Sequence, residues 1–338
     1  RLRRGQAMNW SDMITGAFQQ GLWPPAIVFC LAAIGLNVHF GYTGLLNFGQ
    51  AGFMAVAAYA LASLVATWGL SFWLGIVVGL AATVVLALLL GVPTLRLRAD
   101  YLAIVTIAAA EIIRQTLGSV SLKDQFGGQD GLQSFVGPFR SLNPYSSSVD
   151  IGIATWRPYD FWVLTVGWIL VAASCLVVFL LMRSPWGRVL KAIREDEDAV
   201  RSLGKNVYWY KMQSLIIGGL FGALAGFMSA LQTAAINPSQ FATDTTFFAY
   251  TVLLVGGAAR VFGPVVGAII FWFLINFLDL FFSDATSGNS PLIPASIMNS
   301  EQASLMRFIF MGLALMLLMI FRPQGIFGDR RELAIDGR

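Results

Sequence analysis

Hydrophobic and polar positions alternate in long blocks along this chain. From Gly21 to Leu95 there is no Asp, Glu, Lys or Arg. About 20 apolar residues suffice to cross a bilayer, so this interval holds three crossings. The pattern as a whole predicts nine apolar spans: 22–40, 41–67, 70–92, 95–117, 161–182, 212–235, 243–257, 265–282 and 304–321. The runs are continuously apolar rather than alternating, which excludes a transmembrane β-barrel. The expected fold is all-α: a single polytopic bundle over residues 1–338, of about 8–10 spans, with a broken second span. Asn9 to Trp23 reads as an interfacial helix anchored by Trp10 and Trp23.

Charge sets the orientation. Arg183–Lys211 carries seven basic and four acidic residues between two apolar runs. Basic residues collect on the cytoplasmic side, so this loop and the tail 322–338 are expected inside. The loops 118–160 and 283–301 then lie outside, and Arg96, Arg98 and Arg260 fall inside. Counting back from Arg96 puts the N-terminus outside, whereas Arg1, Arg3 and Arg4 argue for inside. Only 12% of residues are charged and 57% are hydrophobic, against about 25% charged in a soluble domain. The net charge of +4 is therefore read as membrane orientation, and no nucleic-acid partner is expected. Membrane lipid is the expected surrounding.

Four groups of residues stand out. Tyr42, Thr43, Asn47 and Gln50 lie in a Gly-rich half-span. Non-helical backbone at membrane depth survives only against protein or a water-filled cavity, so these four are candidate pathway residues. In the inner loop, Trp186–Ile193 and Glu195–Leu203 read as two short helices, with Gly204 as the stop. Arg188, Arg194, Glu195, Asp196, Ala199 and Gly204 are the candidate docking residues of that knob. Glu111 and Arg114, three apart on a helix, read as an ion pair within a span. Gly218, Gly222 and Gly226 form two GxxxG steps for close helix packing. Gly127–Gly131 reads as a turn.

The lone His39 cannot form a metal cluster, and Cys30 and Cys175 read as small core residues. There is no GxxxxGK[ST] phosphate loop and no nucleophile–base constellation. The chain is not expected to be an enzyme or to carry a cofactor.

The segment PWGRVLKAIREDEDAVRSLGKNVYWYK resembles the permease subunits of branched-chain amino-acid ABC importers. Gly187, Arg188, Ala192, Ile193, Arg194, Glu195, Ala199 and Gly204 match that family's loop motif. GYTGLLNFGQAGFMAVAAYA, LRLRADYLAIVTIAAAEIIR, LLVGGAARVFGPVVGA and RPQGIFG resemble four further blocks, so the likeness spans residues 28–328. Ala99 stands where the family often has Gly, and Asn47 and Gln50 replace a more usual Ser/His pair. The resemblance implies a coupling helix seated in a cleft of an ATPase subunit. It also implies a homologous second permease, two ABC ATPases that use ATP, and an extracytoplasmic substrate-binding protein, in a bacterial inner membrane. The implied cargo is Leu, Ile or Val, with urea or short amides as the alternative. A stand-alone secondary carrier or channel is the alternative of another class. It would need intramembrane coupling residues, of which Glu111 is the one available.

Overall fold

A computed structural model of the chain describes residues 10–96, 99–150, 155–286, 299–322 and 324–328. Arg1, Arg3, Arg4, Arg98 and most of the tail 322–338 lie outside the described residues. In chain order the elements are α1 (Trp10–Gly21), α2 (Pro24–Leu36), a π-helical turn (Asn37–Tyr42), α3 (Gln50–Ala66), α4 (Phe72–Thr94) and α5 (Ala99–Leu117). An outer loop follows with α6 (Lys123–Phe126), β1 (Leu132–Gln133), α7 (Gly137–Ser141), β2 (Val149–Asp150) and β3 (Thr155–Trp156). Then come α8 (Pro158–Arg183), α9 (Pro185–Glu195), α10 (Glu197–Ser202), α11 (Val207–Thr233) and β4 (Ala235–Ile236). The remainder is α12 (Thr243–Gly256), α13 (Gly263–Thr286) and α14 (Ser300–Phe321).

Contacts at the helix ends sort them onto two faces. On the outer face, the Ser63 hydroxyl donates to the Gln125 carbonyl at 2.8 Å. There β1 pairs antiparallel with β4, Leu132 opposite Ile236, and Trp23 stacks on Trp156 with ring centroids 4.8 Å apart. On the inner face, Arg96 lies over Tyr208, and the Ile326 amide donates to the Val255 carbonyl at 3.0 Å. The basic loop lies on this second face, the one that charge asymmetry expects to be cytoplasmic.

Among the described residues, nine helical segments run between the faces: α2, α3, α4, α5, α8, α11, α12, α13 and α14. Five of the spans, 24–42, 72–94, 158–183, 207–233 and 263–286, are long and apolar enough to cross a membrane alone. A sixth is reached if α5 and the helices after it, bent by 60°, count as one. The shorter segments depend on their neighbours. α3 has 17 residues and α12 has 14, and each completes its path with irregular backbone that the bundle encloses.

One expectation is corrected, and one left open is narrowed. α1 is not a free interfacial helix. It lies along α13, with Met13 and Ala17 buried, and a Cβ on Gly21 would approach the Ile269 carbonyl to 3.2 Å. The entry to α2 is on the outer face, because Trp23 meets Trp156 there. This is the side reached by counting back from Arg96.

Small residues bring the central helices together. α11 lies in the middle, packed on α2 and α3. A Cβ on Gly226 would strike the Met54 main chain, one on Gly222 would meet Gln50 and Phe53, and one on Gly218 would strike His39. α4 buries Gly75, Gly79, Thr83, Ala87 and Gly91, a stripe repeating every four residues. Its other faces point outward, with Val77 62% and Leu89 68% exposed. Within a bilayer such a helix is held by close backbone approach, since lipid is as apolar as leucine.

Candidate functional site: a broken span tied to the inner knob

Where α2 ends, the helix widens into the Asn37–Tyr42 π turn, and the chain then runs without helix from Gly44 to Gly49. Gly44 adopts φ +73°, a left-handed conformation that suits glycine. This irregular backbone returns into the bundle. The Phe48 amide donates to the Thr106 hydroxyl of α5 at 3.0 Å, and Gln50 Nε2 donates to the Ala32 and Gly218 carbonyls at 3.4 and 3.2 Å. Non-helical backbone at this depth needs internal partners, and the protein supplies them.

The partners centre on a polar network of His39, Asn47 and Gln50, with two smaller polar groups beside it. Asn47 Nδ2 donates to His39 Nδ1 at 3.1 Å and to Gln50 Oε1 at 3.4 Å. His39 Nε2 lies 3.1 Å from the Leu215 carbonyl. A carbonyl only accepts and an amide nitrogen only donates, so His39 is assigned the Nε2–H tautomer. Asn47 Oδ1 accepts from the Gly49 amide at 2.9 Å, and Tyr250 OH donates to the Asn47 carbonyl at 2.9 Å. The Thr43 and Ser214 hydroxyls share a 2.7 Å bond, and Thr43 also donates to the Val38 carbonyl at 2.9 Å. Asn37 joins the α12–α13 corner: its Nδ2 donates to the Arg260 carbonyl at 2.7 Å, and its Oδ1 accepts from the Ala259 amide at 2.8 Å.

Of the four sequence-nominated residues, Asn47 and Gln50 are both 0% exposed and belong to this network, while Thr43 adjoins it through Ser214. Tyr42 is buried but looks the other way, beneath Lys191 of α9, whose Nζ is 5.7 Å from the ring centroid. Sequence reasoning passed over His39, Asn37 and Ser214. The available signal was the recurrence of polar side chains at 37, 39, 43, 47 and 50 within an uncharged run. The Ser214 and Leu215 partners have no local signature, because they arrive from a helix more than 170 residues away.

The inner knob is two helices at a sharp break. Ser184 caps α9 by accepting from the Gly187 amide at 3.5 Å, and Asp196 caps α10 by accepting from the Ala199 amide at 2.9 Å. Asp196, at φ −154° and ψ 103°, separates the helices. The first helix therefore runs two residues past the expected Ile193, and the second begins at Glu197, with the acidic cluster in its first turn where the dipole favours it. Gly204 follows at φ +75°. Gly187, Leu190 and Ile193 of α9 face inward, while Arg188, Arg194, Glu195, Asp196, Ala199 and Gly204 are exposed. Leu203 projects, 80% exposed. Glu197 accepts from Lys211 and from Arg201, the latter at 2.9 Å, which ties α10 to α11.

One contact joins knob and broken span. Arg194 Nη1 donates to the Gly41 carbonyl of the π turn, and a Cβ on Gly44 would come within 3.2 Å of the Arg194 side chain. Glu111 and Arg114 lie elsewhere, near the outer end of α5. Arg114 Nε donates to Glu111 Oε2 at 2.9 Å, and neither side chain is fully buried. Among the described residues no group of His, Cys, Asp and Glu is placed to hold a metal.

A polytopic helical bundle with an interrupted, protein-enclosed span and a built inner protrusion has the form of a multi-pass membrane permease. The chain matches the family described as "Branched-chain amino acid transport system / permease component" over residues 25–320, and it belongs to that family. It is 30% identical over 313 residues to the high-affinity branched-chain amino acid transport permease protein LivM of Salmonella typhimurium, covering 89% of this chain and 68% of that protein. It is 25% identical over 342 residues to a probable LivM of Methanocaldococcus jannaschii, covering 90% and 91%. A shorter likeness, 29% over 142 residues, extends to the ribose import permease protein RbsC of Haemophilus influenzae, covering 40% and 44%.

Proposed function

We propose that this chain forms half of the translocation pathway of an ATP-driven importer for Leu, Ile or Val in a bacterial inner membrane. It works beside a homologous second permease, with two ABC ATPases inside and a substrate-binding protein outside. It contributes no catalytic group and no cofactor, and ATP is spent by the companion subunits. The cargo follows the relatives' names, and the assembly follows the resemblance of the inner loop. The observation that carries the mechanism is the Arg194–Gly41 contact.

Closure of the ATPases displaces the knob, whose exposed Ala199 and Leu203 give an apolar contact and whose Glu195 gives a charged one. Arg194 carries that displacement to the π turn. The turn in turn holds α11 through Thr43–Ser214 and the α12–α13 corner through Asn37. Thr43, Asn47 and Gln50 are closed in by hydrogen bonds here, so passage along them requires the broken span to shift. A broken helix gives such a place because its backbone partners can be exchanged.

The test uses the complex reconstituted in vesicles. Arg194→Ala is expected to keep the ATPases bound yet lower leucine uptake about tenfold, the scale of losing one charge-assisted hydrogen bond. Glu195→Lys with Ala199→Asp is expected to abolish both co-purification and uptake. Unchanged uptake in both variants overturns the coupling role, and uptake of urea in preference to leucine overturns the cargo.

A further inference from the structure

The Glu111–Arg114 ion pair lies far deeper than its place near the end of α5 suggests, and helix register gives the depth. A Cβ on Gly75 of α4 would meet Leu61 of α3, and one on Gly79 would lie 3.0 Å from the Ala57 carbonyl. Continuing that antiparallel register places Gly52 opposite Val84, about 18 Å from the outer end of α4 and about 15 Å from its inner end. A Cβ on Gly52 would in turn lie 3.1 Å from the Ala110 Cα of α5. Glu111 is therefore at mid-depth, and Arg114 stands about 5 Å nearer the outer face. α5 stops at Leu117, about 10 Å above Ala110, whereas α3 continues about 21 Å past Gly52 to Ala66. The outer end of α5 is thus recessed within the bundle.

This pair is not shut inside the chain. The Glu111 side chain is 38% exposed and that of Arg114 21%, and Ile104, Ala108, Ile112 and Gln115 are exposed along the same face. Ionised groups within a span face a bundle interior or a water-filled cavity, because hydrocarbon does not solvate them. This face of α5 therefore borders water or a second protein rather than lipid tails. The opposite side of α5 holds the broken span, through the Phe48–Thr106 bond and the Gly52–Ala110 approach. Arg114 donates to Glu111 through Nε at 2.9 Å and Nη2 at 2.5 Å, and Gln115 Nε2 donates to Glu111 at 2.8 Å. Arg114 thus spends two of its five donors on the pair, and Glu111 spends three of about four acceptor sites. The remainder, an acceptor beside a set of donors, matches the ammonium and carboxylate of an α-amino acid.

We propose that this face of α5 lines the import pathway, and that Glu111 and Arg114 form the subsite that receives the zwitterionic end of the amino acid in transit. The ammonium joins Glu111, the carboxylate joins the Arg114 fork, and the aliphatic side chain lies on Ala108 and Ile112. The inference rests on the reading of this chain as half of an amino-acid importer, with the second permease as the opposite wall. Between passages the pair neutralises itself, so an empty pathway holds no isolated charge. A neutral amide such as urea brings no charge to either partner, so the subsite favours the zwitterion. A dry contact with the second permease would desolvate the unspent Arg114 donors, a cost that an aqueous wall avoids.

The experiment uses the complex reconstituted in vesicles. The native Cys30 and Cys175 are buried, so an introduced thiol is read on this chain by its mass change. Ala108→Cys is expected to react with a positively charged methanethiosulfonate in the nucleotide-free or the ATP-trapped complex, where Leu89→Cys on the outward side of α4 does not. An Ala108→Cys thiol that stays unreactive in both states lies against lipid or dry protein, and overturns the proposal. Glu111→Gln with Arg114→Gln removes both charges together. It is expected to keep the thermal transition, since replacing an ion pair whole costs little, and to lower leucine uptake about tenfold or more, the scale of losing charge-assisted hydrogen bonds. Full leucine uptake by this variant overturns the subsite. Should it melt early, the thiol result decides. An unmodified complex that imports no leucine refutes the import reading instead, which the two overturning results leave standing.

Discussion

The 24–42 and 72–94 spans are both uncharged and apolar, yet 83% of the first is buried inside the protein and only 28% of the second. The second, α4, is a regular helix through Thr94, with Pro93 tolerated in its last turn. It meets the bundle through one stripe of small residues and turns the rest outward. The first is surrounded, and it departs from α-helical geometry at Asn37–Tyr42 before the helix-free Gly44–Gly49. A helix facing lipid has no other partner for its backbone and must satisfy itself. A segment enclosed by protein is free to break, because side chains such as Asn37 and Gln50 and the facing α11 take up the released groups. Of these two spans, the irregular one is therefore the enclosed one, where a transporter needs an element that moves.

Three substitutions probe that contrast. Gly226→Leu attacks the enclosed side most directly, because its side chain would meet the Met54 main chain, which cannot turn aside. A loss of about 3 kcal/mol or more is expected, read as collapse of the thermal transition of the detergent-solubilised protein. Survival of a normal transition would show that the α3–α11 seam is looser than described. Asn47→Leu removes the hub of the polar network and strands the Gly49 amide and His39 Nδ1. It is expected to cost about 2 kcal/mol, the range for unsatisfied buried polar groups, measured by the same melt. A change near zero would mean that water replaces the asparagine. Leu89→Ala, on the lipid face of α4, is expected to shift stability by no more than about 0.5 kcal/mol, like other substitutions away from packed features. A large loss there would reveal a partner surface where the comparison places lipid.

Much of the architecture was legible from local pattern. The apolar run lengths mark every segment that crosses the bundle, and the short seventh, expected at 243–257, is α12 at Thr243–Gly256. Lysine and arginine placed the 183–211 loop and Arg260 on the same face, where the structure has them. The glycines at 218, 222 and 226 announce a close-packed helix face, because removing a side chain has one physical consequence wherever it happens. The break between α9 and α10 was less legible. Asp196 serves as the cap through a single side-chain bond, and any of four consecutive acidic residues had the chemistry to do it.

What composition and periodicity determined by themselves is membrane embedding, which loops share a face and the order of the helices, since transfer to lipid and charge asymmetry act on each segment separately. Only the folded chain decided that α1 lies on α13, that His39 joins Asn47 and Gln50, and that Arg194 reaches Gly41 across 153 positions. Those contacts depend on which helix faces which, and that is settled by the fit of surfaces brought together from distant parts of the chain, a quantity with no counterpart in any single stretch of residues.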